Sequence, residues 1–87
     1  MINELINNPN ATIVDVRSEG EFADGHVEGS INIPLDTVPN RIEDFKNMSK
    51  PLIMCCLSGG RSGQAVGFLQ QNGVEEIYNG GGWSEVQ

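Results

Sequence analysis

Histidine, cysteine and basic side chains are all scarce in this sequence, and each scarcity removes a class of function. A single histidine, His26, and two adjacent cysteines, Cys55 and Cys56, supply no Cys-x-x-Cys pair and no second imidazole, so no metal site and no other cofactor is expected. Neighbouring cysteines close no loop and a bridge between them is strained, which excludes a disulfide framework; both are read as free thiols in a reducing compartment. Five Lys and Arg against twelve Asp and Glu give a formal charge of −7, which opposes a broad phosphate-binding surface and hence nucleic-acid binding. No apolar run approaches the ~20 residues of a membrane span, and residues 1–10 lack the basic start of a secretory leader, so a cytoplasmic chain away from membranes is expected.

What is present suits one small domain of 87 residues, 38% hydrophobic, with a compact core. Eleven glycines gather chiefly around Gly59–Gly67 and Gly80–Gly82, which predicts tight turns there rather than low-complexity sequence. Ile2, Leu5 and Ile6 have helical spacing, and Asn7–Asn10 with Pro9 reads as a turn. The run Ala11–Val16 is mostly β-branched and nearly continuous, as in a strand covered on both faces. Glu19–Ala23 predicts a short helix ending near Gly25, and Gly29–Pro34 at most a short strand. From Asp36 as N-cap, Val38, Ile42, Phe45 and Met48 predict one amphipathic helix with Pro39 in its first turn. Leu52–Cys56 reads as a second central strand, and Ala65, Val66, Phe68 and Leu69 as the stripe of a helix closed by Asn72 and Gly73. Glu75–Asn79 predicts a last strand, before a turn at Gly80–Gly82 and then Trp83. Strands alternating with helices, with no internal repeat, predict an α/β fold: a small, mostly parallel central sheet flanked by helices.

The segment Cys56-Leu57-Ser58-Gly59-Gly60-Arg61-Ser62 carries the chemistry, because it sets a thiol where a buried strand ends and a helix begins. Main-chain N–H groups of a glycine-rich loop converge on such a point, the helix adds its positive end, and Arg61 adds a cation. These surroundings commonly bring a thiol from about 8.5 into the range ~3.5–7.5, which makes it a nucleophile at neutral pH. A buried cysteine is ordinarily inert packing. The accompanying glycines, arginine and serine favour the nucleophile for Cys56, whereas Cys55 points to the opposite strand face and reads as core.

This loop resembles the active loop of the rhodanese family of sulfurtransferases, Cys, four residues, Arg, then Ser or Thr, matched here by Cys56, Arg61 and Ser62. Ile13-Val14-Asp15-Val16-Arg17 is similar to that family's Asp-x-Arg strand end. Phe22–Ser30, which contains Gly25-His26-Val27-Glu28-Gly29-Ser30, resembles its Gly-His-Ile-Pro-Gly-Ala stretch. Ile31–Pro34 resembles its Asn-Ile-Pro, and Gly81-Gly82-Trp83 its closing Gly-Gly and Trp. The resemblance implies one rhodanese-like domain over residues 1–87 and transfer of a sulfane sulfur from thiosulfate or a persulfide to a thiol or cyanide, through a persulfide on Cys56. It implies further that the N–H groups of Leu57, Ser58, Gly59, Gly60 and Ser62 hold the anion, that Arg61 binds the donor or braces the loop, and that Ser62 caps the helix. A sulfur-relay protein is a further partner it allows. Because the chain begins with Ile2–Ile6, without the extra strand common in the family, a sheet reduced at its edge is expected. Glu28 and Ser30 stand where the family usually has Pro and Ala, and Leu57 where thiosulfate users often carry a polar or basic residue. With an acidic chain repelling a dianion, a protein or small-thiol persulfide is the expected donor.

Asp15 and Arg17, at a strand's carboxyl end, are read as tying loops together, Arg17 with Glu19 or Glu21. His26 is read as a structural hydrogen-bonding residue, and Trp83 as closing the core or walling the pocket. Two rival functions use the same residues. A cysteine phosphatase or arsenate reductase has five residues between Cys and Arg, where this chain has only positions 57–60. In a thiol sensor or partner-binding module the loop would only recognise a partner or report oxidation of Cys56, with Cys55 as a conceivable resolving thiol.

Overall fold

The computed structural model describes residues 2–86. Thr12–Asp15 forms strand β1, Ile31–Asn32 β2, Leu52–Cys56 β3 and Ile77–Gly82 β4. They make one sheet of order β2-β1-β3-β4 in which every pair is parallel. The expected α/β architecture with a parallel sheet is therefore present. Helices Ile2–Ile6 (α1), Glu19–Ala23 (α2), Ile42–Asn47 (α3), Gly60–Gln71 (α4) and Trp83–Val86 (α5) supply the crossovers and cover the faces.

The central strand β3 is buried along its whole length, so its side chains alternate between two cores rather than between core and water. Leu52, Met54 and Cys56 join Val14, Phe45, Ala65 and Leu69 on one face, while Ile53 and Cys55 join Val27 and Val86 on the other. Strand β2 is only two residues long, and Pro34, which has no N–H to donate, follows just beyond it.

The amphipathic segment from Asp36 is not one helix. Leu35–Asn40 is a 3₁₀ turn containing Pro39, and α3 starts only at Ile42, with Arg41 between them. Proline disfavours the α conformation of the residue before it and removes a helical donor, so the tighter ladder, Thr37 N–H to Pro34 O at 2.9 Å and Arg41 N–H to Val38 O at 2.9 Å, takes its place. Val38 and Phe45 are buried all the same, because a 3₁₀ turn followed by a helix still directs both inward. Asp36 caps nothing there; the segment opens without a side-chain cap.

The glycines after Asn79 are likewise not a turn. Strand β4 runs through Gly82, with Met54 opposite Asn79 but Cys55 opposite Gly81, so Gly80 is the extra residue of a β-bulge. A Cβ on Gly80 would lie 2.9 Å from Ile53 Cγ2 and 3.0 Å from Val86 Cγ2, which only glycine avoids. The bulge carries β4 far enough to place its end beside the loop that follows β3.

Candidate active site

In a parallel sheet all carboxyl ends lie along one edge, and ligands bind in α/β folds at that edge. Cys56 ends β3 there, and the loop Leu57–Gly59 turns directly into α4. The turn depends on Gly59, whose φ of +103° lies in the left-handed region and whose Cβ position would meet Gly81 Cα at 3.4 Å. Gly82 admits the loop from the other side: a Cβ there would come within 2.7 Å of the Leu57 carbonyl oxygen.

The Cys56 sulfur is buried yet surrounded by donors. Gly59 N–H donates to Sγ at 3.0 Å, and the Ser62 hydroxyl lies 3.3 Å from it. Burial works against the thiolate, but hydrogen bonds from the Ser62 hydroxyl and from the amides of Ser62, Gly59 and Ser58 outweigh it and bring the thiol down to about 7. Cys55, on the opposite face, has no such donors. Desolvation, aided by the nearby Asp15 carboxylate, pushes it up to about 12. The two side chains point to opposite sides of the sheet, so Cys55 is not placed to resolve an oxidised Cys56.

Ser62 does not cap α4; the N-cap is Gly59, which has no side chain to do so. The Ser62 hydroxyl, buried in the first turn, has a single proton and two acceptors in reach, Cys56 Sγ and Asn79 Oδ1 at 2.7 Å. Asn79 Oδ1 also accepts from Gly81 N–H at 3.0 Å, so the hydroxyl proton is free to turn to the sulfur once the thiol ionises. Asn79 Nδ2 donates to Gly59 O at 3.0 Å and fastens the loop to β4. A hydrogen bond to a charged group contributes about 1.5–3 kcal/mol. Ser62→Ala is therefore expected to raise the midpoint of the pH profile for iodoacetamide alkylation of Cys56 by about one to two pH units. An unmoved midpoint would remove Ser62 from the site.

Arg61, half-buried, is committed away from the sulfur: Nη1 and Nη2 donate to the two carboxylate oxygens of Glu21 at 2.7 and 3.0 Å. Glu21 also accepts from the Ser18 amide at 3.1 Å in a capping box that starts α2. The ion pair thus joins the start of α2 to the start of α4. Leu57 is the most exposed large apolar residue among those described, at 61%, and Ser58 and Gly60 are also exposed. A cavity of about 330 Å³ opens beside Arg61, lined by Val16, Ser18, Pro34, Leu35 and Asp36.

Asp15 and Arg17 lie behind the site rather than in it. Asp15, fully buried, accepts from Arg17 Nε at 3.0 Å and Nη2 at 2.7 Å, and Arg17 Nη2 also reaches Gly25 O at 2.7 Å. The partner of Arg17 is therefore Asp15, not Glu19 or Glu21. Its guanidinium lies 4.8 Å from the centre of the Trp83 ring, so Trp83 packs on a cation and on Gly25. The Nδ1–H of exposed His26 donates to Phe22 O at 2.8 Å and the ring stacks on Phe22 at 3.7 Å, which closes the turn after α2. Among the described residues no cluster of His, Cys, Asp or Glu has the arrangement of a metal site, and no helix is long and apolar enough to cross a membrane.

Asn79, and Glu21 as partner of Arg61, escaped the sequence reading. Asn79 sits where the last strand was expected to end, and only the pairing of β4 beside β3 brings it to the loop. Glu21 stands 40 residues before Arg61, and the one local sign of it, the Ser18-x-x-Glu21 capping pattern, points to helix initiation.

Comparison with known proteins agrees with this architecture. The rhodanese-like domain family matches residues 1–87. The uncharacterized protein YqhL of Bacillus subtilis is 41% identical over 69 residues, covering 79% of this chain and 54% of that protein. A tRNA uridine(34) hydroxylase of Salmonella newport is 29% identical over 90% of this chain, which spans only 24% of that protein. Among solved structures, a protein of Staphylococcus saprophyticus superposes with a TM-score of 0.80 at 34% identity, covering 99% of this chain and 89% of that one. A human single-domain sulfurtransferase superposes with a TM-score of 0.68 at 26% identity, covering 90% of this chain and 80% of that one. A match along the whole length, on an all-parallel sheet with the cysteine loop after its central strand, places the chain in the rhodanese-like domain family.

Proposed function

We propose that this chain is a sulfurtransferase with Cys56 as its nucleophile. The Cys56 thiolate attacks the outer sulfur of a donor RS–SH, forming the Cys56 persulfide as the inner S–S bond breaks and RS⁻ leaves. With thiosulfate the leaving group is sulfite. An acceptor thiolate or cyanide then attacks the outer sulfur of that persulfide, and the electron pair of the broken bond returns to Cys56 as thiolate. No redox partner is required, because one S–S bond is exchanged for another or for an S–C bond.

The observation that carries this reading is the donor set around one buried sulfur: the Gly59 amide and the Ser62 hydroxyl, in a loop whose residues 57–60 bear no charge. Such a set stabilises an anion on sulfur without a metal. The likeness to a human single-domain sulfurtransferase of similar extent supports the same reading. The name tRNA uridine(34) hydroxylase belongs to proteins of which this chain spans about a quarter, and it describes a different reaction.

Incubation with thiosulfate, and separately with the persulfide of N-acetylcysteamine, followed by intact mass, tests the proposal. One added sulfur is expected on wild type and on Cys55→Ser, removed again by cyanide, and none on Cys56→Ser. A sulfur that persists in Cys56→Ser but disappears in Cys55→Ser would reverse the assignment. Cys56-dependent hydrolysis of an aryl phosphate would replace sulfur transfer with phosphatase chemistry.

A further inference from the structure

All five basic side chains are already engaged. Arg17 is paired with Asp15, Arg41 with Asp44, Lys46 with Glu43 and Arg61 with Glu21, while the Lys50 ammonium donates to the carbonyls of Phe45, Lys46 and Met48 at the end of α3. On a chain of formal charge −7, Arg61 is the only one of them in the candidate catalytic loop. Its fork is fully matched to a carboxylate from a different element, in the bidentate geometry that an anionic donor would otherwise take. The hydrogen bonds from Arg61 hold the Glu21 carboxyl down to about 2, so it stays charged at any working pH and does not release its partner by protonation. The adjoining cavity is mostly apolar, from Val16, Pro34 and Leu35, and its other charged wall is the acidic Asp36. Exposed Leu57 extends the apolar character along the loop itself.

We infer that Glu21 is a specificity-determining residue: by occupying Arg61 it withholds the loop's cation from dianionic donors such as thiosulfate, so that Cys56 takes sulfur from RS–SH persulfides whose bodies are uncharged or apolar. This rests on the sulfur-transfer reading above. Glu21 touches no reacting atom. It acts through the charge that Arg61 presents to an incoming donor: the Coulomb energy with that charge is large for a dianion and near zero for a neutral RS–SH.

The test compares rates of sulfur addition to Cys56, by intact mass, from thiosulfate and from N-acetylcysteamine persulfide, the latter reacting as neutral RS–SH. Glu21→Gln is expected to raise the thiosulfate-to-persulfide rate ratio about tenfold. The double variant Glu21→Gln with Arg61→Gln should return the ratio to that of wild type, because a neutral pair has been replaced by a neutral pair. In wild type itself, added salt should speed thiosulfate loading, since screening relieves repulsion, and leave persulfide loading unchanged. An unmoved ratio in Glu21→Gln, a ratio that collapses in the double variant, or thiosulfate loading that slows with salt in wild type would each overturn the inference. The salt measurement stands even if the variants fail to fold. Loading from neither donor in wild type would instead sink the sulfur-transfer reading itself.

Discussion

Iodoacetamide is expected to label Cys56 at least about a hundredfold faster than Cys55 at pH 7, although the two are adjacent in sequence. With one thiol brought down to about 7 and the other pushed up to about 12, thiolate populations at pH 7 differ by a factor on the order of 10⁴–10⁵. The more basic thiolate is intrinsically the better nucleophile, which returns roughly two of those orders. The direction with pH follows from which form reacts. Cys56 labelling should rise through a midpoint of about 7 and level off above it, falling in acid as the thiolate is protonated. Peptide mapping after timed labelling across pH 5–10 measures both. Equal labelling of the two thiols, or a Cys56 midpoint at the ordinary value of about 8.5, would mean that the loop amides do not act on the sulfur.

Removing the Asp15 carboxylate is expected to have the largest effect on stability. Asp15→Ala leaves the guanidinium of Arg17, whose side chain is 4% exposed, without its counter-charge, and orphans the Arg17 amide, which donates to Asp15 Oδ1 at 2.9 Å. Breaking a buried pair from one side costs about 3–5 kcal/mol. Small domains have only about 5–15 kcal/mol in all, so the variant should unfold at markedly lower urea concentration, with a large unfolded fraction at 37 °C. Replacing both partners with apolar residues, Asp15→Leu with Arg17→Met, should recover much of the loss, because it is the uncompensated charge that is costly. A loss below about 1 kcal/mol in Asp15→Ala would mean that water reaches Arg17 in solution.

Much of the architecture was legible in local pattern. The unbroken apolar run Leu52–Cys56 reads as a strand covered on both faces because a central parallel strand has no face left for water, and it is buried throughout. The short segment Glu19–Ala23 before Gly25 and the stripe Ala65, Val66, Phe68 and Leu69 likewise mark α2 and α4, since helical period and helix-ending residues act within a few positions. Reading failed where a local rule met a non-local one. Val38, Ile42, Phe45 and Met48 keep helical spacing, but Pro39 splits the segment into a 3₁₀ turn and a helix that bury the same residues. Three consecutive glycines read as a turn, yet packing of Ile53 and Val86 against a bare backbone makes them strand.

The sequence by itself determined the element order, the central strand and a thiol followed by a glycine-rich loop and a helix, because those depend on periodicity and on the conformational freedom of nearby residues. Tertiary structure alone decided which distant groups face one another: that Asn79 stands behind the Ser62 hydroxyl that reaches the Cys56 sulfur, and that Glu21 crosses 40 residues of chain to occupy Arg61. Charge pairing is set by distance in space, and sequence spacing fixes that distance only within a turn or two of chain.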